Sequence, residues 1–447
     1  MDGPGQALPG DDPRWRAFID KLYGIARSGV KLGLDRISTL LDDLGGPQKG
    51  LDCVHIAGSN GKGSTASFTA SILAVAGRRH VGLFTSPHLV EVTERIAFLD
   101  AQGRRDIERA TLIEMVERIE AVRPGFVDIS FFEVITAAAL LAMKQRGVDA
   151  GVIEAGLGAR LDATRLVRAP VSVLTNVSLE HTRILGETLP AIAREKAAVI
   201  RPGCPLVTTI GAPEVDAVVD EAAQNAQARV LRLGRDFHAT EARPGRWTFK
   251  LTDREIDDVA PSLLGKHQAQ NAALAAQAAV LFDPMLSDES VRRGLQTTIW
   301  PGRMELFEHP GGTLVVLDGA HNPAAFQALA QGLVSRRERV EAPVHLVLGV
   351  LGDKDVTEMM APLQDLVQSI VLAPIDAPRA ADPAAVAAKI PGALCERVTP
   401  ATSALEALDT ARRRAEQEGG SVVVCGSLYL VGAVRGELAA NFRRVLP

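Results

Sequence analysis

The chain has few of the features that mark membrane, secreted or nucleic-acid-binding proteins. None of its apolar runs approaches the roughly 20 residues that cross a bilayer. Its first residues, MDGPGQALPGDDPRWR, lack the basic-then-apolar order of a signal peptide. The four cysteines (Cys53, Cys204, Cys395, Cys425) form no CxxC pair, so we expect reduced thiols in a cytoplasmic protein and no zinc site. The formal net charge of −5 argues against a nucleic-acid or membrane-surface partner.

Short apolar runs alternate with longer amphipathic stretches along most of the chain. Strand-like runs such as LDCVHIAG, HVGLFT and DAGVIEAG are separated by helix-like runs such as FFEVITAAALLAMKQRG. This order predicts a mostly parallel sheet with helices on both faces. Residues 236–260 interrupt the pattern and predict short antiparallel strands. A second alternating series, with strands TLVVLDG, VHLVLGV, SIVLAPI and SVVVCGS, follows Pro301-Gly302.

The stretch HIAGSNGKGSTASF places a glycine-rich turn between a strand-like and a helix-like run. Glycines let backbone N–H groups approach a phosphate, and the helix N-terminus adds partial positive charge. Lys62 could reach the outer phosphates, and Ser64 or Thr65 could serve the metal or the phosphate. Gly63 separates the lysine from the serine, so the spacing differs from that of an ordinary GTPase or motor-type ATPase. A tight turn without a ligand is the alternative interpretation.

Further motifs follow along the chain: FTSPHL, SFFEV, VIEAGLGARLDAT, NVSLEHTRILG, AIAREKAAVI, HQAQNAALA, WPGRMEL and VLDGAHNPAAF. With GSNGKGS, they resemble the Mur ligase superfamily, and most closely its folylpolyglutamate synthase and dihydrofolate synthase family, from about residue 30 to the end. The predicted fold class is therefore α/β. Residues 1–300 would form a P-loop parallel-sheet ATPase domain with a small antiparallel insertion, which also holds the pterin substrate. Residues 301–447 would form a smaller Rossmann-like glutamate ligase domain.

The resemblance implies a set of ATP-binding residues. By their sequence context alone, Asn271, Arg303 and Asp318 could equally be capping or turn residues. The resemblance assigns ATP contacts to Gly58, Asn60, Gly61, Lys62, Gly63, Ser64, Asn271, Arg303 and Asp318. It assigns catalytic roles to Lys62, His181, Lys196 and His321, with His321 near the incoming amino acid.

Three residues are candidate metal ligands. Ser86 follows a strand in a Ser-Pro sequence that could simply be a turn, whereas Glu154 ends a strand beside flexible glycines, where a carboxylate suits a hard cation such as magnesium. Glu154 could also be a cap or an ion-pair residue, and an isolated histidine such as His181 is more often structural. The resemblance implies that Ser86, Glu154 and His181 bind Mg²⁺.

Lys196 carries the most specific expectation. By pattern alone, Glu195 and Lys196 belong to an exposed, charged helix face. The resemblance implies that Lys196 is carbamylated by carbon dioxide. That reaction needs an unprotonated amine, so the pKa of Lys196 must be lowered.

The resemblance also outlines a pterin-binding pocket. Two adjacent phenylalanines are notable in a chain that is only 4% aromatic, although core packing explains them as well. Arg165 stands where the family usually has asparagine. The implied substrate contacts are Lys31, Leu32, Ser130, Phe131, Phe132, Glu133, Leu161, Asp162 and Ala163.

The function implied by the resemblance is an ATP-dependent ligase. It would add L-glutamate to dihydropteroate and to reduced folates through an acyl phosphate, with Mg²⁺, as a cytoplasmic monomer that binds only small molecules. A murein-precursor or cyanophycin-type ligase is the nearer rival, against which SFFE, SPH and RLDAT argue. A nucleotide-binding regulatory module is the other, but it would leave Asn271, Arg303 and DGAHNP without a role.

Overall fold

The computed structural model describes residues 12–26, 33–77, 80–335, 340–377 and 379–445. Lys31 and Leu32, two of the expected substrate contacts, lie outside these ranges. Internal contacts divide the chain into two compact units. The N-terminal unit comprises the residues up to 262 together with 268–299, and the C-terminal unit comprises 263–267 and the residues from 300 onward.

The N-terminal unit contains a large sheet and a small one. Its strands are β1 Asp52–Ala57, β2 Val81–Phe84, β3 Ile96–Asp100, β4 Gly103–Asp106, β5 Ala150–Glu154, β6 Arg168–Leu174, β7 Leu206–Thr209, β8 Val230–Leu233, β9 His238–Arg243, β10 Arg246–Lys250 and β11 Glu255–Val259. The helices are α1 Pro13–Ala26, α2 Asp35–Asp43, α3 Lys62–Val75, α4 Arg109–Val122, α5 Phe131–Gln145, α6 Thr182–Leu185, α7 Leu189–Ala197, α8 Pro213–Asn225, α9 Lys266–Phe282 and α10 Asp288–Thr297. Three 3₁₀ turns span Val92–Arg95, Pro124–Phe126 and Ala163–Leu166.

The large sheet has the strand order β4-β3-β2-β5-β1-β6-β7-β8. The six strands from β2 to β8 in this order are parallel, and β3 and β4 extend the sheet as an antiparallel hairpin that the sequence did not reveal. Ile56 of β1 lies opposite Glu154 of β5 on one side and Val173 of β6 on the other. The carboxyl ends of these three strands therefore meet, which is where open α/β sheets bind ligands.

Helix α3 is enclosed by its surroundings. Every residue from Ser64 to Ala74 is buried, which explains its apolar and small composition. Helix α10 approaches α3 so closely that a Cβ at Gly294 would lie 2.5 Å from the Ile72 Cα atom. The turn that precedes α3 is thus anchored to a rigid element.

The three strands β9, β10 and β11 pair antiparallel as a separate small sheet, as residues 236–260 predict. Trp247 and Phe249 point to its buried side, while β9 is mostly exposed. This alternation is typical of an antiparallel sheet with one solvated face.

The C-terminal unit is a second α/β layer structure. Its strands are β12 Glu305–Glu308, β13 Leu314–Leu317, β14 Val344–Leu348, β15 Val367–Leu372, β16 Val398–Pro400, β17 Ser421–Cys425 and β18 Arg443–Val445. The helices are α11 Pro323–Ser335, α12 Val356–Met360, α13 Pro383–Ala387, α14 Gly392–Cys395, α15 Ala404–Glu418 and α16 Leu428–Asn441, with a 3₁₀ turn at Ala361–Leu363. Nothing in the described ranges is a helix long and apolar enough to cross a membrane.

The second sheet has the order β16-β15-β14-β17-β13-β12-β18. It is parallel from β16 to β13, whereas β12 runs antiparallel to both of its neighbours. The four strands expected from the apolar runs are β13, β14, β15 and β17, and each of them is almost completely buried. The short strands β12, β16 and β18 carry no such run and were not foreseen.

Candidate active site

The glycine turn between β1 and α3 has a backbone that needs glycine at two positions. Gly58 has φ +145° and Gly61 has φ +81°. A Cβ at Gly58 would lie 1.9 Å from Thr175 Oγ1, and one at Gly61 would lie 2.4 Å from Asn271 Oδ1. The fold thus brings Asn271 against the turn, and its contact with ATP stays a prediction.

The residues just after β6 hold this turn in place. The Asn60 N–H donates to Asn176 Oδ1 (2.9 Å), and Asn60 O accepts from Asn176 Nδ2 (3.0 Å) and Thr175 Oγ1 (2.7 Å). The Ser178 N–H donates to Ser59 Oγ (2.9 Å). Sequence reasoning missed these partners, although the polar run TNVS at a strand end was a usable signal.

The N-terminus of α3 is suited to a phosphate. Its N-cap is Gly61, so no side chain caps the first turn. The buried Thr65 hydroxyl has no hydrogen-bond partner in the described part of the chain. Lys62 Nζ lies over the turn and donates to Gly58 O (2.9 Å) and Ser59 O (3.0 Å). These donors fit the oxygens of a nucleotide phosphate.

Lys196 lies beside the same turn and is buried. The prediction from the pattern alone, that this residue belongs to an exposed helix face, is therefore wrong. Lys196 Nζ donates to Gly58 O (2.8 Å) and to Glu180 Oε1 (2.7 Å). Glu195 matches the pattern better, because it is partly exposed and pairs with Arg160 (2.7 Å). The periodicity gave the wrong prediction because Lys196, near the end of α7, packs against the glycine turn.

The surroundings of Lys196 change its acid–base properties. Burial, and then the charge of Lys62, lower the pKa of Lys196 to about 8, although Glu180 opposes this shift. Burial would raise the pKa of Glu180, but the charges of Lys62 and Lys196 outweigh it and lower that pKa to about 2. Glu180, which sequence reasoning did not select, is therefore an anion at neutral pH between two lysines.

Two of the three candidate metal ligands lie side by side. Glu154 is buried at the end of β5, and its Oε2 accepts the Ser86 N–H (3.0 Å). His181 is exposed at the N-cap of α6, with φ +47°. Among the described residues, no three His, Cys, Asp or Glu side chains cluster as metal ligands. An ion held by the candidate side chains would thus complete its coordination with water and phosphate oxygens, as Mg²⁺ commonly does.

Two of the expected substrate contacts, Ser130 and Glu133, are bound to each other. Ser130 and Glu133 form a capping box at the start of α5: Glu133 Oε2 accepts the Ser130 N–H (2.8 Å), and Ser130 Oγ accepts the Glu133 N–H (3.3 Å). Phe131 is buried and stacks on Tyr23 with ring centroids 5.7 Å apart. These contacts show how the residues are held, and their contact with a substrate stays a prediction.

The segment Leu161–Asp162–Ala163 lies beside the turn that follows β5. Asp162 is buried, and its Oδ2 accepts the N–H groups of Gly156 (3.0 Å) and Leu157 (2.9 Å). Its other oxygen accepts the Thr164 N–H (3.0 Å). Phe132 packs over Gly156, where a Cβ would lie 2.6 Å from the ring. Asp162 therefore shapes the backbone beside Glu154.

The C-terminal unit gathers Arg303, Asp318 and His321. The Asp318 carboxylate accepts the N–H groups of Met304 (2.9 Å) and Ala320 (2.9 Å). The Arg303 guanidinium packs on Gly319, where a Cβ would lie 2.0 Å from Nη1. His321 Nδ1 is 2.7 Å from Gly319 O. These three residues thus surround one short backbone segment.

The stability of the fold should depend on pH through Lys196. Its folded pKa of about 8 lies below the ordinary lysine value of 10.5, so the unfolded chain binds more protons between these two pH values. We therefore expect the free energy of unfolding of wild type to rise, relative to that of Lys196→Met, from about pH 8 to about pH 10.5. Urea titrations across this range measure it, and a pH-independent difference would contradict the shift.

Comparison with known proteins identifies the class. The family model of the Mur ligase middle domain matches residues 56–279, and that of the Mur ligase glutamate ligase domain matches residues 302–428. The two α/β units and the glycine turn are thus those of a Mur-type ligase.

Individual relatives narrow this class. The chain is 35% identical to "Folylpolyglutamate synthase" of Lacticaseibacillus casei, over 94% of this chain and 97% of that protein. It is 38% identical to a "Probable bifunctional folylpolyglutamate synthase/dihydropteroate synthase" of Haloferax volcanii, over 93% of this chain, and spans only 50% of that relative's length. The solved structure "E.coli FolC in complex with DHPP and ADP" superposes with a TM-score of 0.83 at 30% identity, covering 97% of this chain and 99% of that one.

The chain belongs to the folylpolyglutamate synthase/dihydrofolate synthase family of ATP-dependent glutamate ligases. This confirms the resemblance, the α/β fold class and the ligase class that the motifs predict. The roles of individual residues stay predictions.

Proposed function

We propose that this chain adds L-glutamate to dihydropteroate, making dihydrofolate, and to reduced folates, with ATP as cosubstrate and Mg²⁺. The observation that carries the proposal is the glycine turn, with Lys62, Lys196 and Glu180 bound around it. Such a turn suits a triphosphate, while the paired charges beside it suit phosphoryl transfer.

The chemistry proceeds in two displacements. A carboxylate oxygen of the pterin substrate attacks the γ-phosphorus of ATP, and ADP leaves, which gives an acyl phosphate. The glutamate amine then attacks the acyl carbon; phosphate leaves with the carboxylate oxygen, and the amine loses a proton. Activation is needed because an oxide-like oxygen is a poor leaving group from a carboxylate.

The residues divide these tasks. Lys62 and the N-terminus of α3 neutralise the transferred phosphoryl group, and Asn271 lies against the same turn. In the C-terminal unit, Arg303 and Asp318 contribute to ATP binding, and His321 orients glutamate. A magnesium ion held through Ser86, Glu154 and His181 would supply positive charge to the phosphates.

We also propose that Lys196 is carbamylated. A pKa of about 8 leaves a fraction of neutral amine at neutral pH. That amine attacks carbon dioxide, forms an N–C bond and releases a proton. The new carbamate would repel Glu180, now 2.7 Å from Lys196 Nζ, so the modification requires a cation or a rearranged Glu180.

The remaining parts of the proposal concern the whole protein. We propose that it acts in the cytoplasm as a monomer. Its partners would be small molecules alone: ATP, L-glutamate and a pterin carboxylate.

Phosphate release tests this function. We expect release from ATP to require both L-glutamate and a pterin carboxylate, and D-glutamate provides a matched control. Product mass, compared for dihydropteroate and tetrahydrofolate, shows which acceptor gains glutamate. ATP binding without substrate-dependent release would contradict the proposal and would favour a nucleotide-binding regulatory module.

A further inference from the structure

Arg165, the residue that departs from the family's usual asparagine, directs its guanidinium to the backbone that follows helix α7. It belongs to the 3₁₀ turn Ala163–Leu166 and is half-buried. Its guanidinium donates from Nη1 to the carbonyl oxygens of Ala198 and, at 3.4 Å, Ile200. These two oxygens belong to the residues that directly follow α7. Arg165 therefore binds the backbone at the end of the helix that carries Lys196.

The C-terminal end of α7 is supplied with side-chain donors. The last carbonyls of a helix have no partner within the helix and carry partial negative charge. Here the donors serve the C-cap of α7 and the two residues after it: Arg165 donates to Ala198 O and Ile200 O, and Ser172 Oγ donates to Val199 O (2.8 Å). A cation at this end is electrostatically favourable, and three consecutive carbonyls are fixed two to four residues after Lys196.

A second arginine joins this end of α7 to the 3₁₀ turn. Arg201 Nη2 donates to Arg165 O (2.6 Å) and lies 3.3 Å from His55 Nδ1. Because arginine can only donate, His55 Nδ1 accepts, and His55 Nε2 must carry the proton. It therefore donates to Thr164 Oγ1 (2.9 Å), whose own hydrogen is directed to Asp162 Oδ1.

These bonds make one continuous hydrogen-bonded unit from β1 through the 3₁₀ turn to the end of α7. His55 is fully buried, and burial lowers its pKa well below the ordinary value, so the neutral tautomer is maintained. The other end of the unit is Lys196, whose amine reaches Gly58 O (2.8 Å) and Glu180 (2.7 Å). A shift of the helix end would move this amine off both partners.

We propose that Arg165 is a positioning residue for Lys196: it fixes the end of α7 against the 3₁₀ turn and so holds the Lys196 amine at the glycine turn. This inference rests on the proposed function, in which Lys196 acts at the phosphate site. Loss of the Arg165 hydrogen bonds should affect turnover more than nucleotide binding, because the glycine turn itself is held by Thr175 and Asn176.

The test compares Arg165→Gln, Arg165→Lys and a matched control, Arg168→Gln, in the full chain. Arg168 is exposed, and within the described ranges its guanidinium pairs with Asp52 alone. The readouts are kcat and the KM for ATP, at a temperature where circular dichroism shows every variant folded. The third readout is the rate at which an amine-acylating reagent labels Lys196 in buffer freed of carbon dioxide, where the amine carries no carbamate, followed by mass spectrometry of peptides.

We expect Arg165→Gln to lower kcat about 10- to 100-fold, with the KM for ATP within about twofold, since small misplacements of an acting group cost rates of this order. Labelling of Lys196 should become several-fold faster. Arg165→Lys keeps a cationic donor and should recover part of kcat and of the slow labelling, and Arg168→Gln should match wild type.

Unchanged labelling of Lys196 in Arg165→Gln would overturn the inference, whether or not kcat falls. Equal losses in the lysine and glutamine variants would overturn it as well. If wild type shows no glutamate-dependent phosphate release, the proposed function fails by itself, and the labelling rates still decide whether Arg165 positions Lys196.

Discussion

Replacing Lys62 by alanine is expected to reduce glutamate-dependent phosphate release by about 100- to 1,000-fold, the range typical of losing one preorganised charge at a reaction centre. The Lys62 amine is the cation held directly over the glycine turn, 2.9 Å from Gly58 O and 3.0 Å from Ser59 O. In the proposed reaction, the transferred phosphoryl group would then lose one of the two lysines that lie at this turn. The measurement is the rate of phosphate release at saturating substrates.

The fold should survive this substitution. The two hydrogen bonds of Lys62 contribute about 1 kcal/mol each to the free energy of unfolding, and the turn keeps its bonds to Thr175 and Asn176. Lys49→Ala is the matched control, because Lys49 is exposed and, in the part of the chain that the structure describes, its amine forms a surface ion pair with Asp42 alone. Normal turnover by Lys62→Ala, with a melting temperature like that of Lys49→Ala, would refute the phosphate site.

Gly58→Ala is expected to combine a large loss of stability with a loss of ATP binding. A Cβ there would lie 1.9 Å from Thr175 Oγ1 and 3.1 Å from the Thr175 backbone nitrogen, at a φ of +145°. The turn must therefore move, and the carbonyl that accepts from Lys62 and Lys196 moves with it. We expect the free energy of unfolding to fall by about 2–4 kcal/mol, measured by urea titration, and the ATP affinity, measured by calorimetry, to be lost.

Gly147→Ala separates backbone strain from steric conflict. Gly147 also has a positive φ, +61°, but a Cβ there would meet no described heavy atom within 4 Å. This variant should lose only about 1 kcal/mol of stability and keep full ATP affinity. Equal losses in the two alanine variants would show that the contact with Thr175 does not determine the shape of the turn.

The sequence was most informative where structure is local. The strand, the glycine turn and helix α3 were predictable because their signals lie within the 14 residues HIAGSNGKGSTASF. The partners of that turn were not predictable in the same way. Asn176 reaches the turn, and Glu180 reaches Lys196 beside it, only because β6 lies next to β1. This strand order depends on the crossover connections of the whole sheet.

Lys196 shows the limit of periodicity. Its neighbours Arg194 and Glu195 give α7 the pattern of a solvated helix, yet the amine of Lys196 is buried against Gly58 and Glu180. The resemblance to known ligases selected this residue. Its contacts and its lowered pKa could be found only from the three-dimensional structure. Arg165 is similar, since only the structure shows that it binds the end of α7.

The small sheet of β9, β10 and β11 has a practical consequence. Its hairpin corner lies at Pro244, which is exposed, and Gly245, which is partly buried. The backbone hydrogen bonds of this sheet join its own three strands and are separate from those of the large sheet. Extra residues at that corner would lengthen a solvated loop, which costs little conformational entropy. We therefore expect that an affinity tag or a labelling peptide inserted there leaves the glycine turn before α3 undisturbed.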